Sequence, residues 1–178
     1  MDAAKWQFIV PSNVGMPPTP TQQAADAWSY SFPMTPGKVG YLLCPHMASI
    51  SNLKSITGRF TLTGDGTIID AAEPYGEIPT ARFILIRDYS AGGRWWSKAN
   101  LSLNLIRNAG EVSLTASFKP EYWTGAAGEE AADFPTDFAS CLKTPAYLGI
   151  THGAADAGHG LALSSGSLSM WGKGISVW

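Results

Sequence analysis

Val112, Leu114, Ala116 and Phe118 alternate with Ser113, Thr115 and Ser117, the period of a strand with one buried and one wetted face. The same alternation recurs along the chain. Trp6, Phe8 and Val10 alternate with Gln7 and Ile9, which predicts a first strand ending at Pro11. Ile56, Phe60 and Leu62 face one way and Thr57, Arg59 and Thr61 the other, predicting a strand that stops at Gly64-Asp65-Gly66. Tyr41 to Cys44 is a short apolar strand halted by Pro45, and the unbroken run Phe83, Ile84, Leu85, Ile86 fits a strand central to the fold. Leu101, Leu103 and Leu105 alternate with Ser102 and Asn104, so a turn at Asn108-Ala109-Gly110 is expected to join them to the 111–118 strand as a hairpin. Tyr147 to Thr151 resumes strand. Leu168, Met170, Ile175, Val177 and Trp178 belong to closing strands, placed to pair beside the first.

Two stretches depart from this rhythm. The Pro-rich segment 11–38 denies a ladder its N–H donors and predicts a long surface loop pinned by Met16, Trp28, Tyr30 and Phe32. Phe134, Phe138, Cys141 and Leu142 share one helical face, with Asp133 as N-cap, Pro135 in the first turn and Pro145 beyond the end. The expected fold is therefore all-β: a single antiparallel β-sandwich over residues 1–178, with one short helix near 134–143 covering an open end.

Composition narrows the partners. With 45% hydrophobic and only 15% charged residues, 19 Gly and 12 Pro, the chain is globular, turn-rich and poor in long helices. A net charge of -2 without clustered cations disfavours nucleic acid. No apolar run approaches the roughly 20 residues that span a bilayer, and MDAAKWQFIV lacks a signal peptide's apolar core and cleavage site. The reading is cytosolic synthesis, a virion-associated protein, or a mature secreted or engineered start. The two cysteines, Cys44 and Cys141, are expected as separate buried thiols, the alternative being a bridge that would favour an extracellular home.

Aromatic residues at strand ends beside polar turns suit sugar binding, because pyranose C–H faces pack on rigid rings while polar neighbours satisfy the hydroxyls. Trp95, Trp96, Tyr122 and Trp123 supply the rings here, with Asp88, Tyr89 and Arg94 as polar neighbours. Adjacent strand residues point to opposite faces, so Trp95 and Trp96 cannot both serve one platform. The alternative is that these rings pack a core or its rim. Of the carboxylates a glycosidase would need, Glu111 and Glu121 lie next to strands, while Asp65, Asp70, Glu73, Glu77, Glu129, Glu130 and Asp156 fall in loops. Cys44, His46, His152 and His159 match no zinc spacing. No cofactor is expected, with calcium on Asp65, Asp70 and Glu73 as the weaker alternative. No Gly-x-Ser-x-Gly elbow or phosphate-cradling loop is present.

The order RFILIRD, RWWS, an alternating strand pair, PEYWTGAAGE, a Phe-rich helix, YLGITHG and GHG resembles uncharacterised bacterial and phage-encoded jelly-roll domains of the carbohydrate-binding-module, galactose-binding-like kind. The resemblance runs from Ile56 onward. It implies a jelly-roll sandwich and a glycan as ligand class, and carries over no catalytic residue. The leading expectation is a non-enzymatic module that binds a carbohydrate or glycan surface near Tyr89, Arg94, Trp95 or Trp96, and Trp123. The alternative is a structural component of a virion or other assembly, in which segment 11–38 and the terminal strand dock onto a neighbour or a second copy. A glycoside hydrolase or lyase on the same fold is third.

Overall fold

The computed structural model describes residues 1–9, 18–34, 39–70, 80–152 and 161–178 and, for Ile69 and Asp70, the backbone alone. Among these residues the chain runs through strands β1 (Gln7–Ile9), β2 (Thr21–Ala24), β3 (Ala27–Ser31), β4 (Tyr41–Pro45), β5 (Ser55–Gly64), β6 (Thr67–Asp70), β7 (Thr80–Ile86) and β8 (Arg94–Ser102). Helix α1 (Leu103–Ala109), β9 (Val112–Ser117), β10 (Trp123–Thr124), helix α2 (Pro135–Lys143), β11 (Tyr147–His152), β12 (Leu161–Ser165) and β13 (Leu168–Val177) follow.

Three antiparallel sheets result. One has the order β1-β4-β11-β7-β8-β10, the second β2-β3-β13-β5-β9, and β12 pairs with β6. The two larger sheets face each other across one core: Phe60 of β5 meets Phe83 of β7 at 6.3 Å between ring centroids, and Tyr30 of β3 meets His152 of β11 at 5.6 Å. This is the antiparallel sandwich expected from the alternation and the jelly roll that the resemblance implied. Among the described residues no helix is long and apolar enough to cross a membrane.

The apolar run of β7 has a direct cause. Phe83 and Leu85 enter the core between the sheets, whereas Ile84 and Ile86 join Tyr41, Leu43 and Trp96 in a second buried cluster on the other face of the same sheet. A strand covered on both sides loses its polar phase. Where β7 meets β8 the register shifts, and buried Ser97 stitches the irregularity: its hydroxyl accepts from Phe83 N and donates to Ala99 O.

Several expectations are corrected. The 101–118 hairpin does not form, because residues 103–109 are helical and β9 pairs with β5. Leu103 and Ile106, three apart, are the residues that this helix buries, and Gly110 ends it with φ +78°. Within the expected loop 11–38, β2 and β3 form a hairpin, since no proline interrupts residues 21–31 and Trp28 and Tyr30 alternate with Ser29 and Ser31. The closing segment from Leu168 is one long strand between β3 and β5, so it does not pair with β1. Helix α2 forms where predicted, although Phe134 precedes it in place of Asp133 and no side chain caps it. Cys44 and Cys141 are both buried and free.

His152 ends β11 inside the core at 1% exposure. The Tyr30 hydroxyl hydrogen-bonds its Nε2, and its Nδ1 lies 3.3 Å from the Gly40 carbonyl; because a carbonyl only accepts, the ring proton belongs on Nδ1, which leaves Nε2 as the acceptor for Tyr30. Phe8 and Phe32 pack around the ring.

Gly172 of β13 shows how tightly the core is filled. A Cβ there would lie 2.3 Å from the Trp28 ring. Gly172→Ala is therefore expected to lower stability by about 1–3 kcal/mol, as overpacking does. Urea unfolding measures it, and an unchanged midpoint would refute the fit.

Candidate functional site

The outer face of the five-stranded sheet is built by the polar phase of its strands. Rows across the sheet read Ser31–Ser169–Thr63, then Ser29–Trp171–Thr61, then Ala27–Lys173–Arg59–Ser113. Short polar side chains form the floor. Gln23 donates to the Ser29 hydroxyl at 2.7 Å, and the Ser31 and Ser169 hydroxyls lie 3.0 Å apart. β13 is the middle strand, so Trp171 stands near the centre of this face.

Trp171 is 41% exposed. It borders a groove of about 250 Å³ lined by Ala27, Arg59, Thr61, Thr63, Glu111, Gly172 and Lys173. At the groove's edge Lys173 Nζ lies 2.5 Å from Glu111 Oε2, and Arg59 Nη1 lies 3.6 Å from Glu111 Oε1. The hydrogen bond from Lys173, aided by both positive charges, holds the Glu111 carboxyl below its usual range. The arrangement offers a flat apolar ring, hydroxyls, two cations and a carboxylate on one open surface.

The residues expected from the sequence divide between core and surface. Trp95, Trp96 and Trp123 are 1%, 0% and 0% exposed, which corrects the picture of an exposed platform at 95–123. Trp95 donates to Gly92 O, and Trp123 to Ser117 O at 2.6 Å; both pack against Phe138 of α2. Trp95 and Trp96 diverge as period two requires, but each meets a buried cluster. The reason is that β8 belongs to a sheet covered on both faces there.

Asp88, Tyr89 and Arg94 come together at the β7–β8 turn. The Arg94 guanidinium lies 5.9 Å from the ring centroids of both Tyr89 and Trp96. Asp88 accepts from Ser90 and from Arg87 Nε, which together push its carboxyl down to about 2. Burial raises the half-exposed Tyr89 hydroxyl. Tyr122, 47% exposed, sits apart on the turn at 120–122. The edge of Trp95 reaches a smaller hollow of about 130 Å³ with Glu129, Phe134 and Asp137.

Among the described residues no three His, Cys, Asp or Glu side chains stand close enough to share a metal ion. Asp65 accepts from Ser167 N, while Glu73, His159 and the side chain of Asp70 lie outside the described residues.

Trp171 was missed by sequence reasoning, although a signal exists. In Leu168-Ser169-Met170-Trp171-Gly172-Lys173 the tryptophan falls in phase with Ser169 and Lys173, not with Leu168 and Met170. An aromatic ring on the wetted phase of an alternating strand is the pattern to look for.

No protein-family model and no curated protein sequence matches this chain. Among solved structures it is similar to a xylan-binding module, CBM15, at 13% identity and TM-score 0.48, over 96% of this chain and 93% of that one. It is also similar to the xyloglucanase domain of NopAA, a type three effector from Sinorhizobium fredii, at 12% identity and TM-score 0.33, over 97% and 92% of the two chains. A third is a thermostable cellulase derived from Cel12A of Rhodothermus marinus, at 10% identity and TM-score 0.34, over 99% and 93%. Likeness at this level assigns no ligand and no residue.

Proposed function

We propose that this protein is a non-catalytic carbohydrate-binding module whose site is the outer face of the five-stranded sheet, with Trp171 as the ring on which a sugar stacks. The observation that carries the reading is Trp171 itself: a large half-exposed ring at the centre of a sheet face otherwise built of hydroxyls and charges. A rigid aromatic supplies contact area at little entropic loss, and neighbouring Thr and Ser hydroxyls exchange hydrogen bonds with a polyol without burying charge. Hydrolysis of a glycosidic bond asks for two carboxylates flanking the bond. Among the described residues this groove holds one, Glu111, and it is tied to Lys173 and Arg59.

Affinity gel electrophoresis against a panel of neutral and acidic polysaccharides tests the proposal. Retardation by at least one polymer is expected, and Trp171→Ala should weaken it roughly tenfold or more, as loss of a central aromatic anchor does. A loss confined to Tyr89→Ala or Arg94→Ala, with Trp171→Ala binding normally, would move the site to the β7–β8 turn. Retardation by no polymer would sink the carbohydrate reading.

A further inference from the structure

We infer that the sugar held beside Trp171 carries a carboxylate, so that the ligand class is a uronic-acid-containing polysaccharide; this rests on the carbohydrate reading above. The chain as a whole is net negative, at -2, whereas the groove sets the two cations Arg59 and Lys173 against the single carboxylate of Glu111. The excess positive charge lies beside the aromatic ring.

Arg59 is the decisive group. Its approach to Glu111 is 3.6 Å from Nη1, too long for a hydrogen bond, and among the described residues nothing hydrogen-bonds its guanidinium. A planar fork with its donors unspent is the group that binds carboxylates through two parallel N–H···O bonds. Its position fits as well. Trp171 pairs with Thr61 and Lys173 with Arg59, so Arg59 is the diagonal cross-strand neighbour of Trp171. Diagonal neighbours are about 7–8 Å apart, within reach of long side chains. A pyranose stacked on Trp171 thus places its own carboxylate, or that of the adjoining sugar, near the fork.

Glu111 gives the site its selectivity. It bonds Lys173 at the solvent-exposed edge of the groove, where an ion pair contributes little and exchanges readily. An incoming carboxylate can share Lys173 with it and take up the donors of Arg59, whose pairing with Glu111 at 3.6 Å is ionic without a hydrogen bond. A neutral sugar brings no charge to the fork.

The test compares polygalacturonate, alginate and glucuronoxylan, each beside its own carboxyl-reduced form, so that backbone and linkage stay constant while the charge is removed. At least one acidic polymer should bind roughly tenfold tighter than its reduced form, and added salt should narrow the gap. Arg59→Gln should bring the two forms together. Arg59→Lys, which keeps the charge and removes the fork, should lose most of the preference, and Glu111→Gln should tighten the acidic form. Arg59 and Glu111 are half-exposed, so these variants should unfold at the wild-type temperature by circular dichroism. Equal binding of acidic and reduced forms, or Arg59→Gln weakening both alike, overturns the inference and leaves the carbohydrate reading standing. Binding only to neutral members of the wider panel does the same. Binding to none overturns both.

Discussion

Trp123→Ala is expected to lower the free energy of unfolding by about 3–5 kcal/mol, the range for removing a fully buried large aromatic from a core. The ring is 0% exposed, stacks on Phe118 at 6.1 Å with 16° between planes, and touches Phe138 at 5.8 Å. Truncation leaves a cavity among three elements that cannot collapse together, and it deprives the Ser117 carbonyl of its indole donor. Urea unfolding should show a lower midpoint at unchanged slope. Trp123→Phe, which refills most of the space, should recover the greater part. The same variant separates the two readings of these tryptophans. If Trp123→Ala keeps full stability but loses polysaccharide binding, the ring is a ligand contact and the core assignment fails.

Acid should weaken the fold through His152. Burial lowers its pKa to about 4, against about 6.5 in an unfolded chain, with the Gly40 carbonyl opposing the shift. Between those values the unfolded chain binds the extra proton and the folded chain does not. Stability contributed by the neutral ring is thus fully present above pH 6.5 and is lost as the pH falls towards 4, by roughly 3 kcal/mol in total. Tyr30, Met170, Phe8 and Phe32 surround the ring, and none offers a negative charge to an imidazolium. The Asp88 carboxyl, held down to about 2, comes into play only in stronger acid. Urea midpoints at pH 7 and pH 4.5 measure the effect. His152→Gln, which keeps an acceptor for Tyr30 without titrating, should flatten the dependence; an equally steep loss in that variant would assign it elsewhere.

The strands most legible in the sequence were those whose alternation is long. Residues 55–64 and 112–117 fold with the phases read from them, because one face is dry and the other wet over the whole length. Residues 101–109 were ambiguous: Leu101, Leu103 and Leu105 fit a strand, yet Leu103 and Ile106 also fit one helical face. The helix buries the second pair and leaves Leu105 51% exposed. The prolines of 11–38 predict a loop, yet they punctuate a hairpin at 21–31 without entering it.

The same division governs the candidate site. Alternation by itself determined which side of its strand each residue takes, and so required Trp95 and Trp96 to part and Trp171 to oppose Met170. It could not say what lies on either side. Trp96 and Trp171 both point away from the core between the sheets, yet one is fully buried and the other 41% exposed. Only the tertiary structure decided this, because cover over a sheet face comes from elements distant in the chain, whereas the phase of a strand is a local property of its backbone.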